Sequence, residues 1–161
     1  MITTTLPVEV KDWVSNIGNS TPSEMSNRYC KDAVLLATYE NLLVGRKNIM
    51  GYFVSFLNKD NLRCTIAQNI TQLIGYEQIA SGIYLFSFSD NGKNKVVEAR
   101  YSFVVKDGLI INHHSSETPK KPNTMPTTKA LLNIAFNMVT LFLPIDFSEL
   151  LTSSITVMPR K

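Results

Sequence analysis

Apolar residues recur with a helical period in the first third of the chain and with strand texture in the middle. Val10, Trp13, Val14 and Ile17 fall at i, i+3, i+4 and i+7, the apolar stripe of an amphipathic helix. Pro7 suits its first turn and Gly18 its stop. Thr21-Pro22-Ser23-Glu24 announces a second helix, in which Thr21 caps, Pro22 takes the first helical position and Glu24 completes a capping box. Met25 and Tyr29 then share a face. Ala33-Val34-Leu35-Leu36-Ala37-Thr38-Tyr39 reads as a short buried strand, and Gly45 interrupts the chain. Ile49, Phe53 and Phe56 give a third helical stripe within 47–57, with Tyr52 beside it.

From Leu62 onward, segments 62–74, 79–89, 96–105 and 109–116 are rich in β-branched and aromatic residues. Asp90-Asn91-Gly92 and Lys106-Asp107-Gly108 are hairpin turns, because Asn and Gly tolerate positive φ. Four strands with short connections predict an antiparallel meander. Three helical stripes must bury on one face of that sheet, and so long a sheet twists and curls. The expected fold is α+β: a cone-shaped curved antiparallel sheet wrapped around N-terminal helices, with a pocket between. Residues 1–123 form this domain. Residues 124–161 form an apolar extension, with a helix over 129–143 ended by Pro144, packing on the same domain or on a second copy. An extension of about 35 residues is too short to build its own core.

Composition adds mainly exclusions. A chain of 161 residues with 44% apolar residues is long enough for one sizeable core without metal or disulfide staples. Its net charge of +3 comes with no dense basic stripe, so neither nucleic acid nor a membrane surface is expected as a partner. Cys30 and Cys64 are too few for a disulfide framework, and no basic-then-apolar leader opens the chain. The cytoplasm is the expected address. No apolar run reaches the roughly 20 residues of a bilayer span.

Candidate chemistry centres on His113-His114-Ser115-Ser116. His113 and His114 are the only histidines, and neighbours on a strand point to opposite faces, so they do not chelate one ion together. Neither a zinc ligand set nor a glycine-rich phosphate loop occurs, so no metal and no cofactor are expected. Strand alternation puts Leu109, Ile111, His113 and Ser115 on one face and Ile110, Asn112, His114 and Ser116 on the other. The first set turns from apolar to polar, as a strand does on leaving a core for a pocket. His113 and Ser115 are therefore the candidate pocket residues, with His114 and Ser116 secondary. The plainer reading, four polar residues bonding to backbone and water, stays open. Arg100 is an odd charge in an apolar strand, either an anion clamp beside Tyr101 or a solvated partner of Glu98. Tyr76, Tyr84, Phe86 and Phe88 are expected in the core.

Four segments, in order and spacing, resemble one family: 32–38, 49–57, 99–105 and His113-His114-Ser115-Ser116-Glu117-Thr118-Pro119. They resemble the nuclear transport factor 2-like, cystatin-like superfamily, in the branch that holds the association domain of calmodulin-dependent protein kinase and the iota-class carbonic anhydrases. The resemblance covers roughly residues 8–119. It implies a homodimer and a metal-free pocket formed by Thr38, Tyr52, His113 and Ser115, holding a small polar ligand or anion such as bicarbonate. It also implies, as its sharpest version, CO2 hydration in which His113 is the general base and the hydroxyls orient water. The alternative it implies is a non-catalytic association module. Asn112 stands where the family commonly has the first of three histidines, and the tail beyond Thr124 departs from the family pattern.

Overall fold

The computed structural model describes residues 1–38 and 40–119. The extension 124–161, with its expected helix, lies outside the described residues. Helix α1, Val8–Asn16, starts at Pro7 and carries Val10 and Trp13 inward, and Ile17 follows on the same buried stripe. Helix α2, Pro22–Asn27, realises the capping box: Thr21 Oγ1 accepts from the Glu24 N–H at 3.2 Å, and the Glu24 carboxylate accepts from the Thr21 N–H at 2.7 Å. These bonds hold the Glu24 carboxyl below its ordinary range. Thr21→Ala is expected to lower stability by about 1 kcal/mol, read as a shift of the urea midpoint at unchanged slope.

The strands are β1 Ile2–Thr3, β2 Tyr29–Leu36, β3 Leu43–Val44, β4 Asp60–Ile74, β5 Glu77–Asp90, β6 Lys93–Lys106 and β7 Leu109–Glu117. Helix α3, Arg46–Phe56, lies between β3 and β4 and buries Ile49 and Phe53. The sheet order is β1-β4-β5-β6-β7-β2-β3. The meander β4–β7 is antiparallel, as its turns require. Asn91 and Gly92 (φ 51° and 72°), then Asp107 and Gly108 (φ 49° and 74°), form two-residue turns with both central residues at positive φ.

The early strand differs from its prediction. It runs Tyr29–Leu36 rather than 33–39, and it joins β7 in parallel, with Leu35 opposite His113. The strand starts early because Tyr29 is fully enclosed in the core, and it ends at Leu36, which is exposed. Two-residue β1 and β3 carry no pattern long enough to read. Tyr76 is not core; it is 92% exposed on the β4–β5 turn.

The concave face carries Ala80, Tyr84, Phe86, Ala99, Tyr101, Phe103, Val105 and Ile110, and the stripes of the three helices complete one core. Trp13 is its centre, with ring centroids 5.4 Å from Phe103 and 6.3 Å from Tyr84 and Phe86. A bulge between Ile66 and Gln68 bends β4 across β5, adding to the sheet's curl.

Candidate functional site

A second bulge sets the site. Register slips where Val105 pairs with Ile110 but Val104 pairs with Asn112, leaving Ile111 as the extra residue. Simple alternation therefore fails at the start of β7. Ile110, not Leu109 or Ile111, is the enclosed residue. Beyond the bulge the alternation holds: His113 is 3% exposed on the inner face, and Asn112 is exposed on the other.

His113 sits in an aromatic box. Its ring stacks on Phe103 at 3.8 Å between centroids and meets Trp13 edge-on at 5.2 Å. Nδ1 lies 2.8 Å from Tyr29 Oη, and Trp13 Nε1 donates to the same oxygen at 3.0 Å. Arg46, at the start of α3, anchors Tyr29 by donating twice to its carbonyl, at 2.9 and 2.6 Å. Tyr29 is fully buried and has one proton to give, so it donates to His113 Nδ1. The imidazole proton is thereby assigned to Nε2. Burial first, and His114 second, lower the His113 pKa to about 3, so the ring is neutral.

A cavity of about 330 Å³ lies between the sheet and the helices, lined by Thr38, Tyr52, His113 and Ser115 together. Thr38 Oγ1 and Ser115 Oγ are 3.2 Å apart. Tyr52, on α3, has its ring stacked on Phe56 at 5.2 Å. Trp13, Phe56, Tyr84, Phe86 and Phe88 supply aromatic wall, and Glu40, Lys59 and Glu117 supply charge. The Lys59 ammonium lies 4.8 Å from the Phe56 ring centre and 5.8 Å from that of Phe88. Burial pushes Tyr84 and Tyr52 well up, with the Glu40 charge adding at Tyr52, so both hydroxyls keep their protons. Ser115 offsets part of the rise at Tyr84 without reaching hydrogen-bond geometry. Tyr84 Oη and His113 Nε2 are buried, and among the described residues neither has a partner within hydrogen-bond geometry.

Arg100 stands elsewhere. It is exposed on the convex face, between Ile83 of β5 and Ser116 of β7, and clamps nothing in the cavity. Two places along from Glu98 on the same strand, it follows the sheet's alternation outward. Tyr101 points inward but lies beside the cavity rather than in its lining: its hydroxyl donates toward the Gln68 carbonyl at 3.2 Å and Asn69 Oδ1 at 2.9 Å. Burial, then Cys64, push that hydroxyl up to about 12. His114 and Ser116 lie on the convex side, partly covered. Trp13, Tyr29 and Tyr84 went unrecognised as site residues, because no local spacing links residues 13, 29, 84 and 113. Among the described residues, no three His, Cys, Asp or Glu side chains gather as a metal site, and no helix is long and apolar enough to cross a membrane.

This fold, with its cavity between helices and curled sheet, is that of the nuclear transport factor 2-like class. A solved structure from Xanthomonas campestris, described as a candidate calcium/calmodulin-dependent protein kinase II association domain, is 34% identical, covers 70% of this chain and 84% of its own, and superposes with a TM-score of 0.64. A nuclear transport factor 2-like superfamily protein from Salmonella enterica serovar Typhimurium is 15% identical over 71% of this chain and 89% of its own, with a TM-score of 0.59. A candidate polyketide cyclase from Xanthomonas campestris pv. campestris is 14% identical over 68% and 87%, with a TM-score of 0.52. No family model and no curated protein matches the chain. The chain belongs to the association-domain-like family, and its fold is nuclear transport factor 2-like.

Proposed function

We propose that this is a ligand-binding domain whose cavity holds a small polar molecule at His113. The observation that carries this reading is the convergence of Thr38, Tyr52, His113 and Ser115 on one 330 Å³ cavity. That volume falls at the small end of ligand pockets.

Metal-free CO2 hydration is the sharpest catalytic version of the same site. In it His113 takes a proton from the attacking water, a contribution of roughly 10²–10⁴-fold. Two features oppose it. The Tyr29 bond assigns the imidazole proton to Nε2, making that nitrogen a donor, and a pKa lowered to about 3 makes the ring a weak base. Metal-stripped protein is therefore expected to hydrate CO2 no faster than buffer. Turnover lost in His113→Ala and kept in His114→Ala would restore the enzyme reading.

The 34% identical Xanthomonas structure favours a second role, assembly. On the convex face Ile79 stands opposite Val104, and Asn112 of β7 separates Val104 from Val34 in the same row; the three apolar side chains are partly exposed, and this is the face we assign to a homodimer. Sedimentation of the 18.1 kDa chain is expected to report a dimer, and a monomer at 100 µM, about tenfold above typical assay concentrations, would end the assembly reading.

A further inference from the structure

We infer that Lys59 is a movable cover on the cavity: its ammonium, held by the faces of Phe56 and Phe88, keeps the mouth closed for part of the time. The cover governs entry whatever ligand the cavity takes.

Exposure marks the mouth. Trp13, Tyr84 and His113 line the inner end and are enclosed, whereas Glu40 and Ser55 line the same cavity and are exposed, so the space opens on their side. Lys59 also lines the cavity, and it is partly buried although Asn58 and Asp60 on either side of it are exposed. Its ammonium stands 4.8 Å from the Phe56 ring centre and 5.8 Å from that of Phe88. The two rings come from different walls, Phe56 from the end of α3 and Phe88 from β5. The side chain therefore reaches from the helix wall towards the sheet wall, its apolar stem along the rim and its charge at the surface.

A bulge places the backbone for this. Asp60 pairs with Ser89 and Arg63 with Ser87, so Asn61 and Leu62 together face Phe88 alone. Asn61 takes a φ of 56°, and Leu62 turns into the cavity wall. The start of β4 is thus bent at the level of Phe88, which brings Lys59, the residue before β4, back over that ring.

The hold is weak enough to open. Among the described residues the ion pairs are Arg28–Asp12, Lys95–Asp90 and Lys106–Glu77, and Lys59 is in none of them. A cation over a phenyl face at such a site is favoured roughly two- to fivefold over leaving it. Surface side chains change rotamer in picoseconds to nanoseconds. The contact biases the mouth towards closed without sealing it. With Lys59 in this position the cavity still measures about 330 Å³, so the ammonium covers the space and does not fill it.

Trp13 is the single tryptophan of the chain and lines the inner end, so a small neutral quencher, acrylamide, reaches its ring through the mouth. On the full chain, Lys59→Ala and Lys59→Gln are expected to raise the acrylamide quenching constant of Trp13 fluorescence about threefold, as the open fraction goes from roughly a third to all of the time. Lys59→Arg, whose guanidinium also stacks on aromatic faces, is expected to keep the parent's value. Lys95→Ala, which removes an exposed cation from the β5–β6 hairpin, is expected to keep it too. An unchanged constant in Lys59→Ala overturns the cover. So does a rise in Lys95→Ala as large as that in Lys59→Ala, or a rise in Lys59→Ala that comes with a lower melting temperature, since either means general loosening. A rise in Lys59→Arg equal to that in Lys59→Ala, or the parent's value in Lys59→Gln, overturns the ring-held ammonium as what closes the mouth. No ligand enters the experiment, so its failure leaves the ligand-binding reading standing, and failure of that reading leaves the cover.

Discussion

Lowering the pH from 7 to 4 is expected to destabilise the fold by about 3 kcal/mol through one side chain, His113. In the folded chain its pKa is lowered from 6.5 to about 3, chiefly by burial. Between those values the unfolded chain binds the extra proton and the folded chain does not. Stability contributed by the neutral ring is therefore present above about 6.5, falls as the pH drops through that value, and stops falling near 3. Urea midpoints at pH 7, 5.5 and 4 read this directly. His113→Asn is expected to be less stable at pH 7, because it loses the Tyr29 bond and the stacking on Phe103, yet to lose far less on acidification. His114→Asn is expected to keep the parent's acid loss. The Glu24 carboxylate also gives up its cap as it protonates, but equally in all three proteins. An undiminished acid loss in His113→Asn would show that the buried imidazole is not its source.

Gly82→Ala is expected to destabilise by more than about 3 kcal/mol, a large share of an ordinary domain's stability. A Cβ there would stand 2.0 Å from the Gln68 carbonyl oxygen, 2.8 Å from its carbon and 3.0 Å from Tyr101 Oη. The obstacle is backbone, so no rotamer change relieves it. The glycine lies where the bulged β4 crosses over β5, and moving either strand breaks the bond Tyr101 gives to Gln68. Gly51→Ala is the matched control. That glycine is inside α3, exposed, with nothing within 4 Å of its would-be Cβ, and the change is expected to stabilise by about 0.5–1 kcal/mol. Thermal melts of the two variants should move in opposite directions. A Gly82→Ala protein within about 1 kcal/mol of the parent would mean the bend relaxes freely.

Local signals carried most of the fold. The capping box at Thr21 and Glu24, the stripe Val10–Trp13–Ile17 and the turns at Asn91-Gly92 and Asp107-Gly108 each depend on residues a few positions apart, and each formed as its chemistry requires. The bulge at Ile111 was not legible, because it is set by how β7 meets β6 and not by any property of Ile111 itself. Luck of register left His113 and Ser115 unaffected, since the slip occurs before them. Arg100 shows the opposite limit: an odd charge in a strand suggests function, but in an open sheet one face is free to carry it into solvent. The polar partners of His113 were invisible for a simpler reason. Tyr29 is 84 residues away, and a pattern read along the chain contains no term for contacts that the fold alone creates.

The parallel seam between β2 and β7 has a consequence for biosynthesis. It joins Tyr29 to His113 and Thr38 to Ser115, so the cavity closes only when the last described strand docks against one made much earlier. A nascent chain halted before residue 109 holds the helices and the first three strands of the meander, but nothing against which β2 can pair on that side. Until then Trp13 lacks His113 on its edge, and the greasy faces of the first-made helices wait for chaperones or for the final stretch to leave the ribosome.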